Sequence, residues 1–229
     1  MKELVRVSDY WFGAIGNSSS FIPGEELFFP KFLEIALSSN RILEVGIGLG
    51  RMTKILKKNN VQADFVGIDI TKNVQRSGVK GIIGDARNLP FSNNHFDLTY
   101  SLGVVEHFPE TRMAISEHAR VTKPGGHIIV TTPHLALLTP IRYLVYLFKD
   151  RKHGSFEEIK GRNIKLSLMK KYFKYSGVSI IDSGFYGIWE LDYIFRNFSI
   201  GRLLLNLQKT STIGSYLYII GQKNDSSLS

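Results

Sequence analysis

Residues 41–53 read RILEVGIGLGRMT, a short apolar run that ends in Gly46, Gly48 and Gly50 and passes directly into an amphipathic stretch. Backbone without Cβ atoms can turn tightly from strand to helix and lets a ligand approach the main chain closely. An ordinary strand-to-helix turn uses glycine too, so the surroundings decide what this one is for. In the dinucleotide fingerprint G-x-G-x-x-G the third glycine would fall at position 51, but here it is Gly50 and Arg51 follows. That spacing disfavours a nicotinamide cofactor.

Around this turn, short apolar runs alternate with amphipathic segments, the pattern of β-α units in a mainly parallel sheet covered by helices. Strands are expected at RILEVG, DFVGIDI, VKGIIG, FDLTYS and GHIIVTTP, then at VSIIDSGF and YLYIIGQK. Helices are expected at GEELFFPKFLEIALSS, RMTKILKKN, PETRMAISEHARVTK and IKLSLMKKYFKYSG, with Pro124-Gly125-Gly126 stopping the chain before the fifth strand.

A chain of 229 residues suits one main core. It has no cysteine, which removes disulfides, thiolate metal sites and a cysteine nucleophile; no metal site is expected. The start lacks an apolar signal core, and Leu135–Phe148 is too short and too interrupted by Pro140 and Arg142 to span a bilayer. A cytoplasmic protein, at most peripheral to a membrane, is expected. Lys and Arg exceed Asp and Glu by 15 − 13 = 2 over residues 1–133 and by 14 − 7 = 7 over residues 134–229. Residues 141–174 alone carry 10 − 3 = 7, so an acidic partner would be sought there.

Residues 41–133 closely resemble the class I S-adenosylmethionine-dependent methyltransferases, in particular their small-molecule, type 11-like branch. The resemblance rests on Glu44-Val45-Gly46-Ile47-Gly48-Leu49-Gly50, Gly67-Ile68-Asp69-Ile70, Gly84-Asp85-Ala86 with Leu89-Pro90-Phe91, Phe96-Asp97, Glu106-His107 and Lys123-Pro124-Gly125-Gly126 in order. It implies an α/β, doubly wound, mainly parallel seven-stranded Rossmann-like sheet with the last strand antiparallel, helices on both faces and a helical cap. It also implies S-adenosyl-L-methionine as methyl donor and S-adenosyl-L-homocysteine as product.

By that resemblance Gly46, Ile47, Gly48 and Gly50 form the cofactor turn, and Asp69 accepts from the ribose hydroxyls. Asp85 and the Ala86 amide meet the adenine, with Ile70 on its wall. Glu44 faces the cationic methionine end, and Ser101 and Leu102 bracket the methionine chain. Asp97 reads as a turn-ordering acid. Only Thr71–Gly78 separates the second and third strands, too little for a full helix.

Methyl transfer from a sulfonium needs a general base only if the acceptor arrives protonated, and His107, Glu106 and His134 are the candidates. Tyr10 and Trp11 resemble elements that close over the site, where aromatics either line the acceptor pocket or simply pack; His134, just after the fifth strand, is a further candidate for the acceptor lining. The expected organisation is a single domain, 1–229: cap 1–40, cofactor core 41–133, substrate-side insertions 134–177 and 185–213, and final strands 178–184 and 214–223. The acceptor is expected to be a small or lipid-like molecule, with an anionic membrane surface as a further candidate partner. The alternatives are an RNA methyltransferase, suggested by the aromatic-interleaved basic segment 141–174 but lacking an Asn-Pro-Pro-Tyr-type motif, and a non-enzymatic cofactor-binding or membrane-surface module. Nucleic acid is therefore the less favoured partner, and oligomeric state is not legible.

Overall fold

The computed structural model describes residues 20–22, 24–137, 139–149, 155, 160–187 and 214–225. Tyr10 and Trp11 lie outside them, as do most of the 185–213 insertion and the middle of the basic segment.

A 3-10 turn, Glu25–Leu27, leads into α1 (Phe29–Leu37) and β1 (Arg41–Val45). The glycine turn connects β1 to α2 (Arg51–Lys58), followed by β2 (Asp64–Asp69), a 3-10 turn at Lys72–Arg76 and β3 (Lys80–Ile83). Next come β4 (Phe96–Leu102), a 3-10 turn at Val105–His107, α3 (Thr111–Val121) and β5 (Thr122–Pro133). The remaining elements are α4 (Thr139–Lys149), α5 (Leu166–Tyr175), β6 (Val178–Tyr186) and β7 (Tyr216–Lys223).

The seven strands form one sheet in the order β3-β2-β1-β4-β5-β7-β6. The first five pair in parallel, and β7 runs antiparallel to both β5 and β6. The order reverses beside β1, where open α/β sheets hold their ligands. The glycine turn leaves the sheet there.

Strand side chains alternate between two cores, as a period of two requires. Leu43, Val45, Val66 and Ile68 pack against Ala114 and Ile115 of α3 and Met169 and Phe173 of α5. Ile42, Leu98, Tyr100 and Ile129 face the other way, against Phe32 and Ile35 of α1 and Met52, Ile55 and Leu56 of α2. Both faces are covered, which explains near-continuous apolar strands. Truncating a side chain as buried as Phe32 or Phe173 would cost about 3–5 kcal/mol.

The fifth strand departs from expectation. Pro124-Gly125-Gly126 does not stop the chain; the ladder begins at Thr122, opposite Phe96, and shifts register between Phe96 and Leu98. Gly125, at φ 71°, absorbs the irregularity as a bulge would. Asp97 ties this edge together, its Oδ2 accepting from the Asn40 and Arg41 amides and its Oδ1 from Lys123 Nζ.

Among the described residues no helix is long and apolar enough to cross a membrane. α4 nevertheless exposes Tyr143, Leu144 and Phe148.

Candidate active site

The three glycines of the turn have different jobs, although all have positive φ. A Cβ at Gly46 would collide with Val104, and one at Gly50 would lie 2.7 Å from the Ser77 carbonyl oxygen. A Cβ at Gly48 would meet nothing within 4 Å, because that residue faces a cavity of ≈ 240 Å³ beyond the strand ends. Two glycines thus make room for protein, and the third leaves room for something else.

Asp69, at the end of β2, holds the turn in place. Its Oδ2 accepts from the Gly48 amide at 2.9 Å, and its Oδ1 accepts from the Thr71 amide and hydroxyl at 3.0 and 3.1 Å. It is buried and lines the cavity. One carboxylate fixes both the glycine turn and the start of the short 3-10 turn that replaces a full helix after β2.

Glu44 is the second buried acid of the cavity. Thr53 and Tyr100 both donate to its Oε2, at 2.6 and 2.8 Å. Burial pushes its carboxyl up to about 7, against those two hydrogen bonds and the charge of Arg51, which pull it down. An acid poised this way ionises readily when a cation arrives beside it.

The other expected residues divide cleanly. Glu44, Gly46, Ile47, Gly48, Asp69, Ile70, Asp85, Ala86, Leu102, Glu106 and His107 all line the cavity. Gly50 does not; it packs on the 3-10 turn at Ser77. Ser101 is fully buried beneath the site, because successive β4 side chains point to opposite faces and Leu102 takes the exposed position. His134 also lies outside the lining, its ring 4.5 Å from that of Phe185.

Asp85 reaches the cavity already engaged. Arg87 grips both its oxygens through Nε and Nη2, and its own amide donates to Oδ1. The Arg87 hydrogen bonds hold the Asp85 carboxyl below its usual range. Any adenine amino group would share an occupied acceptor.

Several lining residues had no signal in the reading above. Arg51 and Glu25 line the cavity as an ion pair at 2.6 Å, and Tyr186, Tyr216 and Lys160 complete the wall. Arg51 stands in the motif itself, where its position served only to reject another cofactor; the others come from distant segments with no motif.

Residues 43–130 match the family model described as a methyltransferase domain, the span that contains the glycine turn, Asp69, Asp85 and the strand-order reversal. Over that span the chain carries a methyltransferase domain of the class I S-adenosylmethionine-dependent type. The chain is 31% identical over 153 residues to phthiotriol/phenolphthiotriol dimycocerosates methyltransferase 1 of Mycobacterium ulcerans, covering 63% of the chain and 55% of that protein. It is 32% identical over 106 residues to human probable tRNA methyltransferase 9B, covering 44% of the chain and 23% of that protein. The chain thus spans about half or less of the length of these relatives. Its fold matches phosphoethanolamine N-methyltransferase 2 of Haemonchus contortus, solved in complex with S-adenosyl-L-methionine, with a TM-score of 0.64 at 17% identity over 97% of this chain and 57% of that one.

Proposed function

We propose that this methyltransferase binds S-adenosyl-L-methionine in the cavity and transfers its methyl group to a small-molecule or lipid-like acceptor. The observation that carries the reading is the open space in front of Gly48, with buried Asp69 and Glu44 in the same wall. The relative named for phthiotriol dimycocerosates supports a lipid-like acceptor.

The residues fit the cofactor. Ile70 and Ala86 offer an apolar flank for a base, Asp69 retains acceptor capacity for ribose hydroxyls beside its turn contacts, and Glu44 offers an ionisable carboxyl to an ammonium. When bound, the cofactor supplies a methyl group already activated by its sulfonium. The protein's part is to orient and to exclude water. Glu44 gives up its proton as a cation approaches, and Leu102 and Val104 wall the methionine side. His107 and Glu106 stand at the other side, Nε2 4.0 Å from Oε1, where they can take a proton from an acceptor that carries one.

Calorimetric titration with S-adenosyl-L-homocysteine tests the reading. Saturable binding is expected, and it should be lost in Gly48→Val. A wild-type protein with no saturable binding would overturn it.

A further inference from the structure

One guanidinium ties two stretches of the cavity wall together. Asp85 and Phe108 both line the cavity, one just after β3 and the other in the turn after β4, and Arg87 joins them without lining it itself. Its Nε and Nη2 fork onto the Asp85 carboxylate, Nη2 to Oδ2 at 2.7 Å, and its amide donates to Oδ1 at 2.8 Å. On the other side its Nη1 donates to Glu110 Oε2 at 2.8 Å, just before α3, and its Cζ stands 5.2 Å from the centre of the Phe108 ring.

The local backbone sets this up. The Asn88 amide donates to the Asp85 carbonyl at 3.0 Å, closing a turn that puts the Arg87 amide two residues past the carboxylate, the spacing at which an aspartate accepts from the chain ahead of it. The Asp85 and Arg87 side chains are 30% and 25% exposed, and pairs as wet as this add little to stability. Their use is in direction. A carboxylate offers about four acceptor positions, and three N–H groups of Arg87 occupy three of them, which leaves Asp85 one for a donor in the cavity.

Resting on the cofactor reading, we propose that Arg87 is a positioning residue for the purine end of the cofactor: it aims Asp85 so that the site prefers a base with an exocyclic amino group to the same base without one. Arg87 acts through Asp85 and need not touch the ligand. The planar fork fixes both carboxylate oxygens relative to the guanidinium, and Glu110 and Phe108 fix the guanidinium relative to the turn after β4. A lysine at this position would offer a point charge on a flexible stem and let the carboxylate rotate. The competing role runs the other way: Arg87 fills acceptor positions that an amino group needs and so weakens the selection.

The test titrates the full chain, by calorimetry, with S-adenosyl-L-homocysteine and with its analogue carrying purine in place of adenine, which lacks only the amino group. Wild type should bind the analogue about tenfold or more weaker, the loss of one hydrogen bond to a charged acceptor. Arg87→Met should lower the ratio of the two affinities to about threefold or less, with Arg87→Lys in between. A general loosening of the wall would weaken both ligands alike and leave the ratio where it was, and removal of a competitor would raise it. Either result overturns the proposal, as does wild-type protein that binds both ligands equally. If Arg87→Met does not fold, Arg87→Lys decides: a ratio below that of wild type supports the proposal, and an unchanged or higher one overturns it. Wild type that binds no S-adenosyl-L-homocysteine overturns the cofactor reading and this proposal with it; normal binding with an unmoved ratio counts against Arg87 alone.

Discussion

Arg51 and Glu25 meet in a fork of two hydrogen bonds, Nη1 to Oε2 and Nη2 to Oε1, each 2.6 Å long. Their side chains are 12% and 2% exposed, so the charges face each other largely away from water. Glu25 also accepts from the Ile22 amide. The pair joins the 3-10 turn before α1 to the first residue of the helix that follows the glycine turn, across the cavity wall.

Removing one partner should hurt more than removing both. Glu25→Ala leaves a buried guanidinium without its carboxylate, a change that typically costs about 3–5 kcal/mol. Thermal unfolding should show a large drop for Glu25→Ala and a partial recovery in Glu25→Ala with Arg51→Met.

Gly48→Ala and Gly50→Ala should fail differently. Both must hold a Cβ at positive φ, at about 1–2 kcal/mol. Only Gly50→Ala also presses on the Ser77 carbonyl, so its melting temperature should fall further. Gly48→Ala should lose only that conformational cost in stability while losing most affinity for S-adenosyl-L-homocysteine, read by calorimetry.

Asp69→Ala should weaken cofactor binding and also lower stability, because the same carboxylate holds Gly48 and Thr71. Hydrogen bonds to a charged group are worth about 1.5–3 kcal/mol each. Unchanged affinity for S-adenosyl-L-homocysteine in a folded Asp69→Ala would sink its ribose role.

Glu44 gives a pH signature. Its carboxyl titrates near 4.5 when unperturbed and is pushed up to about 7 by burial in the folded protein. The folded state therefore holds the proton more tightly, so this contribution to stability is fully present below about pH 4.5 and is lost as pH rises through 7. Glu44→Gln cannot ionise. Its stability relative to wild type should rise between about pH 5 and pH 8 by up to about 3 kcal/mol, measured by denaturant unfolding at both pH values. Cofactor affinity should follow the opposite logic, strengthening in wild type as pH rises through about 7 and flattening in Glu44→Gln.

All seven strands and the place of the glycine turn were legible because they rest on local patterns: short apolar runs, and glycine where the backbone must turn under something else. Glu44, Asp69 and His107 were legible because a motif fixes their distance from a strand end. The Arg51–Glu25 pair was not, since it joins positions 26 apart whose meeting depends on how α1 packs beside α2. Ser101 was placed in the site by its motif neighbours, but strand alternation buries it and exposes Leu102. The charge of segment 141–174 was legible as a sum, but not which of its cations face inward. Arg162 donates to two backbone carbonyls, so neutralising it would break those contacts before it tested any attraction to a membrane.

The antiparallel pairing of β6 and β7 has a consequence for how freely the connection between them can vary. Tyr186 and Tyr216 are register partners, their rings stack at 5.5 Å, and the Ser215 amide donates to the Gly187 carbonyl just beyond them. The base of the β6-to-β7 connection is thus fastened by its own two ends, and both tyrosines line the cavity. Once such a base is closed, doubling the length of chain between its ends costs only about 0.6 kcal/mol more. The connection can therefore be treated as an exchangeable cassette: grafting a relative's sequence between Gly187 and Ser215 should reprogram which acceptors enter while the cofactor half of the molecule keeps its affinity.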